Sequence, residues 1–266
     1  MRLKEKIIKG DLYINGKKVN ENINIEAHGK NNYRGDHRQS FYNYNGIEGR
    51  KMDARAKEAV RYLGYGRHAV DDHTLALVDS SFVELEEAAG RRIIYRIFDL
   101  DFQDDGCIQI GQMNIESRNL GKNMNGCEKA IVLGATLGAQ VDMLMRKYAL
   151  ADMARVVTLQ ACATTILEEY LDDWQGEMEE EMAGEGLYLR PRFSPGYGDF
   201  SIGHQEEILR MLDAAKTIGL TMTAGGMLTP MKSVTAVIGL SRIKAPCHIK
   251  GCEACEKTDC IYRRYS

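Results

Sequence analysis

What the chain lacks narrows its class. No apolar run approaches the roughly 18 residues that a membrane span needs, and the opening segment MRLKEKIIKGDLYING has no uninterrupted apolar stretch of the signal-peptide kind. The expectation is a cytoplasmic protein with no membrane contact. Positive charge is not in excess either: 35 Lys and Arg stand against 38 Asp and Glu, a formal net charge of −3. Such a chain repels a nucleic-acid backbone, so no nucleic acid is expected as a partner. The sequence carries no internal repeat and no low-complexity block. With 266 residues, 44% hydrophobic and 27% charged, it is long enough for a real core, which excludes disorder and collagen-like repeats.

Cysteine is sparse except at one end. Cys107, Cys127 and Cys162 are scattered, and none has an activating base near it in sequence; Cys162, among Ala161, Ala163 and Ile166, reads as a small buried hydrophobe. The other four, Cys247, Cys252, Cys255 and Cys260, form C-x4-C-x2-C-x4-C. Cys252 and Cys255 can chelate from one turn while Cys247 and Cys260 close from either side, and Lys250, Lys257, Arg263 and Arg264 offset thiolate charge. A structural zinc site and an iron-sulfur cluster both suit four cysteines. Disulfides fit a cytoplasmic chain less well.

Three regions follow from composition. Residues 1–50 show little apolar periodicity, apart from Asn15-Gly16 between β-prone runs, a two-residue hairpin signal. Residues 51–242 form the folded domain, and 243–266 the cysteine tail. Helices are expected over 54–63, 70–89 and 142–181, the last with a break near Leu150-Ala-Asp152 and with Ala154, Val157, Ala161, Thr165, Ile166 and Tyr170 on one face. Strands are expected at 92–101, 108–115, 129–134, 220–228 and 233–240, and a helix capped by Ser201 runs to Gly219. The interleaving gives an α+β class, with a mixed, mainly antiparallel sheet, flanking helices and a long central helix. Two neighbouring features have ordinary explanations: Asp71 and Asp72, beside His68 and His73, suit a helix start, and Glu177 to Glu181 suits a solvated helix face.

Two of only four prolines, Pro191 and Pro195, sit in Leu187-Tyr-Leu-Arg-Pro-Arg-Phe-Ser-Pro-Gly-Tyr-Gly-Asp199, where no helix can run. Arg192 can clamp a carboxylate with paired hydrogen bonds, Ser194, Pro195 and Gly196 make a tight turn whose N–H groups can face a ligand, and Tyr197 adds a flat ring and a hydroxyl. His204, in the first turn of the next helix, lies within reach of the same loop.

The RxxPGYxxxxxxH pattern from Arg192, together with Thr229-Pro-Met-Lys-Ser-Val-Thr-Ala236, resembles the S-adenosylmethionine-binding activation domain of cobalamin-dependent methionine synthase. Ala149-Leu-Ala-Asp-Met-Ala through Glu168-Glu-Tyr-Leu171 is similar to that domain's central helix, and Gly134-Ala-Thr-Leu-Gly-Ala-Gln-Val-Asp142 to the stretch before it in free-standing relatives. The resemblance covers roughly residues 52–241. It implies a reactivation factor that docks on the cobalamin-binding module of methionine synthase, or on another corrinoid protein, and presents S-adenosylmethionine to methylate cob(I)alamin after cob(II)alamin is reduced. Cobalamin itself is carried by the partner. On this resemblance Arg192 holds the ligand carboxylate, the Ser194-Pro195-Gly196 backbone approaches it, and Tyr197 faces ligand and corrin. Thr165 stands where the family has an acidic residue, and Glu185 lies one residue from another such position. The cysteine tail is foreign to the family domain; with an iron-sulfur cluster it could deliver an electron. Two other readings are a metal-stapled accessory subunit that docks without S-adenosylmethionine, and a methyltransferase acting on a different acceptor.

Overall fold

The computed structural model describes residues 12–14, 17–19, 52–65, 68–103 and 106–244. Strands β1 (Leu12–Ile14) and β2 (Lys17–Val19) pair antiparallel with Ile14 opposite Lys17, the register of a two-residue connection. Asp53 caps α1 (Ala54–Tyr62) by accepting from the Ala56 N–H at 2.7 Å, and Asp71 caps α2 (Asp72–Ala88) by accepting from the Thr74 N–H at 2.8 Å. Asp71 therefore has the capping role its position suggests. Each cap satisfies a donor that the first helical turn leaves open.

Strand β3 (Arg92–Phe102) follows, and β1 adds to its edge with Leu12 opposite Arg96. Residues 108–115, expected as one strand, instead fold back as β4 (Ile108–Ile110) and β5 (Met113–Ile115). Gly111, at φ 59°, makes the turn, and a Cβ there would stand 2.8 Å from the Phe98 ring. After α3 (Arg118–Asn123) and β6 (Lys129–Thr136) come α4 (Ala139–Tyr148) and the 32-residue α5 (Met153–Gly184), separated at 149–152 as the sequence suggests. Within α5, Ala161, Thr165 and Ile166 are buried, but Val157 is exposed, so the buried face is rotated from the expected one. The Glu177 to Glu181 carboxylates are solvated.

Strand β7 (Tyr188–Leu189) leads through the Arg192 loop to α6 (His204–Leu212) and α7 (Ala214–Thr217). The single helix expected up to Gly219 is broken at Asp213, which adopts φ 50° and ψ 39°. Ser201 is not the cap: its Oγ accepts from the Gly203 N–H in a preceding turn, and the helix begins at His204. The stretch 220–228 is a hairpin rather than a strand, with β8 (Thr221–Met222) paired to β9 (Leu228–Thr229) around Gly226 at φ 82°. The final strand is β10 (Ser233–Ser241).

The main sheet has the order β2-β1-β3-β6-β10-β7, and every described pair in it is antiparallel. Alternation along its central strands divides the core in two. Ile93, Tyr95, Ile131, Leu133, Ala236 and Ile238 face α1, α2, α4 and α5. Ile94, Phe98, Val132 and Val237 face α3, α6, α7 and the β4–β5 hairpin. The result is an α+β domain with helices on both faces and a long central helix. Among the described residues no helix is long and apolar enough to cross a membrane.

Candidate functional site

The Arg192 loop is fixed at both ends. A bridge between Phe193 and Val237 ties its start to β10. Its end is held by Asp199, whose carboxylate accepts from the Ser117 hydroxyl and from the N–H groups of Arg118 at 2.9 Å and Asn119 at 3.1 Å, across the start of α3. Those bonds, the one from Ser117 foremost, hold the Asp199 carboxyl below its ordinary 3.8. Between the anchors Pro195 is buried and Gly196 adopts φ 92°. The Gly196 N–H donates to Phe200 O at 2.8 Å and the Tyr197 N–H to Ser194 O at 3.2 Å. The Gly196 N–H, expected to face a ligand, is therefore spent inside the turn, as is that of Tyr197. Tyr197 itself projects outward, 69% exposed.

Alternation in the segment beside β10 sends Phe193 into the core and Arg192 to the opposite side, against α5. Its guanidinium donates to Asp172 Oδ1 at 2.6 Å, Gln175 Oε1 at 2.9 Å and Glu168 Oε2 at 3.3 Å. The Arg192 side chain is 18% exposed, while the Glu168 and Asp172 side chains are 40% and 64% exposed. The cation is thus half-buried and its carboxylate partners open to solvent.

Residues 164, 168, 172 and 175 recur at three- and four-residue spacing and so share one face of α5. Thr164, at the other end of this stripe, accepts a hydrogen bond from Lys232 Nζ at 2.9 Å. Burial pushes the Lys232 ammonium down to about 8, with Asp142 acting in the opposite sense. Asp142, from α4, accepts from the Met231 N–H at 2.9 Å and fixes the chain just before β10.

The acidic residues that meet Arg192 are Glu168 and Asp172, neither of which was among the candidate site residues. Thr165 is 1% exposed and donates to Ala161 O within its own helix, and Glu185 is the exposed C-cap of α5. Neither reaches Arg192. The missed signal was the i, i+4, i+8 spacing of Thr164, Glu168 and Asp172. His204 stacks on Phe200 with ring centroids 5.5 Å apart and lies 3.6 Å from Glu207, which accounts for it structurally.

Of the scattered cysteines, Cys127 and Cys162 are buried. Cys162 is fully buried and its thiol is pushed up to about 12, while burial also raises that of Cys127. Cys247, Cys252, Cys255 and Cys260 lie outside the described residues. Among the described residues no group of three or more His, Cys, Asp or Glu side chains could hold a metal ion.

No protein-family model matches this chain, and no curated protein matches it. Among solved structures, the crystal structure of the MetH reactivation domain bound to AdoHcy is similar over 73% of this chain and 78% of that one, with 15% sequence identity and a TM-score of 0.49.

Proposed function

We propose that this protein is a reactivation factor for a corrinoid methyltransferase, methionine synthase being the foremost client, and that it presents S-adenosylmethionine at the Arg192 loop. The observation that carries the reading is Arg192 beside Glu168 and Asp172 on the RxxPGY loop. A planar guanidinium suits the α-carboxylate of an amino-acid headgroup, and the two exposed carboxylates suit its ammonium. On ligand entry the headgroup carboxylate replaces one internal carboxylate on Arg192, and the released carboxylate turns to the ammonium. Tyr197, exposed beyond the loop, projects its ring toward the docking partner.

The chain needs no nucleophile or general base for this task. Methyl transfer takes the methyl group from the sulfonium to cob(I)alamin, leaving S-adenosylhomocysteine, and positioning is the protein's contribution. The cob(II)alamin is first reduced by one electron from a separate donor. The four C-terminal cysteines bind a metal in this reading, either zinc as a staple or an iron-sulfur cluster as an electron carrier.

The decisive experiment mixes the full-length protein with a cob(II)alamin-loaded corrinoid methyltransferase, a reductant and S-adenosylmethionine, and follows methylcobalamin by absorbance. Methylcobalamin should form, and Arg192→Ala should slow it at least tenfold at subsaturating S-adenosylmethionine, since a bidentate charged contact is lost. Absence of methylcobalamin with every corrinoid client would overturn the reading. The internal neutralisation of Arg192 favours one alternative, an accessory subunit that docks without this ligand. Calorimetric titration with S-adenosylmethionine separates the two, because that subunit gives no heat and no thermal stabilisation.

A further inference from the structure

We infer that Lys232 and Thr164 form a nucleoside-binding pole in the same site whose amino-acid pole is Arg192 with Glu168 and Asp172. The inference rests on the ligand reading above and assigns the part of the ligand which that reading leaves without a partner.

Geometry supplies the argument. Lys232, just before β10, reaches Thr164 of α5, on the side of the sheet where Val234, Ala236 and Ile238 pack. Arg192 reaches α5 from the segment on the far side of β10. Both cations meet the same helical stripe, Lys232 at Thr164 and Arg192 at Glu168 and Asp172. At 1.5 Å of rise per residue, those contacts stand about 6 to 12 Å apart along the helix axis. That interval is the scale of the distance from an amino-acid headgroup to the ribose and base of the same nucleoside conjugate.

The chemistry narrows the occupant. Among the described residues the hydrogen bond to Thr164 is the only one that the Lys232 ammonium makes, so it has further N–H groups to offer. Thr164 already donates to Gln160 O, leaving oxygen lone pairs for Lys232. The charged group acting on Lys232 is Asp142 of α4, while Thr164 of α5 is neutral. A single lysine beside a carboxylate is a poor phosphate site, because Asp142 repels the second anion. A neutral acceptor, such as a ribose oxygen or a ring nitrogen of the base, fits the pair better.

The consequence is a pH-dependent affinity. The protonated amine is the better donor to a neutral acceptor, and it is lost as pH rises through about 8. The guanidinium at the other pole does not titrate in this range.

Two probes separate the poles in calorimetric titrations of the full-length protein: S-adenosylhomocysteine, with both parts, and 5′-methylthioadenosine, without the amino-acid part. Lys232→Met, which keeps the apolar stem, should weaken both probes about tenfold at pH 7. Arg192→Ala should weaken S-adenosylhomocysteine alone. Wild-type affinity for 5′-methylthioadenosine, which has no ammonium of its own, should fall between pH 7 and pH 9.5, and that of Lys232→Met should not. Lys232→Arg, charged throughout, should retain binding at pH 9.5 if the longer head is accommodated, and the Met variant's flat profile carries the test if it is not.

If Lys232→Met changes the thermal midpoint but leaves affinity for 5′-methylthioadenosine and its pH profile untouched, the lysine is only a strut to Thr164 and the inference fails while the ligand reading stands. If the wild-type protein binds neither probe, both fail together.

Discussion

Asp199 shows how a single side chain sets the geometry of the Arg192 loop. Its carboxylate lies across the start of α3 and accepts three hydrogen bonds from residues about eighty positions earlier in the chain. The approach is close enough that Gly198, at φ 55°, admits no side chain: a Cβ there would stand 2.5 Å from Asn119 Nδ2. Asp199→Asn keeps the shape but exchanges an acceptor-only carboxylate for an amide that accepts through one oxygen. The thermal midpoint should drop by a few degrees at pH 7, and, on the proposed ligand reading, affinity for S-adenosylmethionine should fall because the turn behind Arg192 loosens. The pH dependence has a definite sign. A carboxyl held below its ordinary 3.8 in the folded protein stabilises the fold above that pH, and the contribution disappears as pH falls through the lowered value. The gap in midpoint between wild type and variant, followed by circular dichroism, should therefore close on acidification below 3.8. A gap of the same size on both sides of that pH would remove Asp199 from this role.

Helix α5 shows two functions on one element. On the buried side Leu159, Cys162, Ala163, Ile166, Leu167, Leu171, Trp174, Met178 and Met182 recur at three- and four-residue spacing over the sheet. On the open side Thr164, Glu168, Asp172 and Gln175 receive Lys232 and Arg192. Trp174 is 5% exposed and packs on Tyr95, with ring centroids 5.2 Å apart, while its indole N–H has no hydrogen-bond partner among the described residues. Its value is therefore apolar and aromatic. Trp174→Ala should cost about 3–5 kcal/mol in urea unfolding. Trp174→Phe, which removes the unpartnered N–H and keeps a ring, should cost less than half as much. Circular dichroism must report both, since Trp174 is the sole tryptophan. Equal losses would mean that the indole N–H does have a partner.

The same elements show what was legible in the sequence. The helices α1 and α2 and the break between α4 and α5 follow from apolar spacing and caps, because those signals are local. The β4–β5 turn was hidden because Ile108, Ile110, Met113 and Ile115 are all buried, so the two short strands read as one apolar segment across Gly111-Gln112. Thr164, Glu168 and Asp172 were visible as a spacing but not as a site, since only the fold brings Arg192 and Lys232 against them. The reading of Arg192 to Tyr197 as a shaped loop rested on Pro195 and Gly196, but the use of its N–H groups depended on how the turn closes on Phe200.

At the scale of the molecule, the two-sided core leaves function to the rim. Strands β3, β6 and β10 are covered on both faces, so a ligand or partner must meet the edges and loops. Tyr197, Ile202, Met227 and Met231 are 69%, 54%, 67% and 51% exposed. They come from the Arg192 loop, the β8–β9 turn and the turn just before β10. Gln205 joins the first two by donating to Gly226 O at 2.8 Å, and Ile202 packs over Gly196, with Cδ1 3.3 Å from where a Cβ would stand. On the proposed reactivation role, large apolar side chains exposed on connected segments suit a docking surface for a corrinoid partner. Ile202→Glu combined with Met227→Glu should leave the thermal midpoint within a degree or two, because neither side chain belongs to either core. The partner concentration giving half-maximal methylcobalamin formation should rise at least tenfold, the loss expected when a desolvated anchor becomes charged. On the proposed reading, in which S-adenosylmethionine is held on the α5 stripe, its affinity should stay unchanged. Unaltered partner dependence would move the docking surface away from this rim, and a joint loss of ligand affinity would show that the rim and the stripe act as one unit.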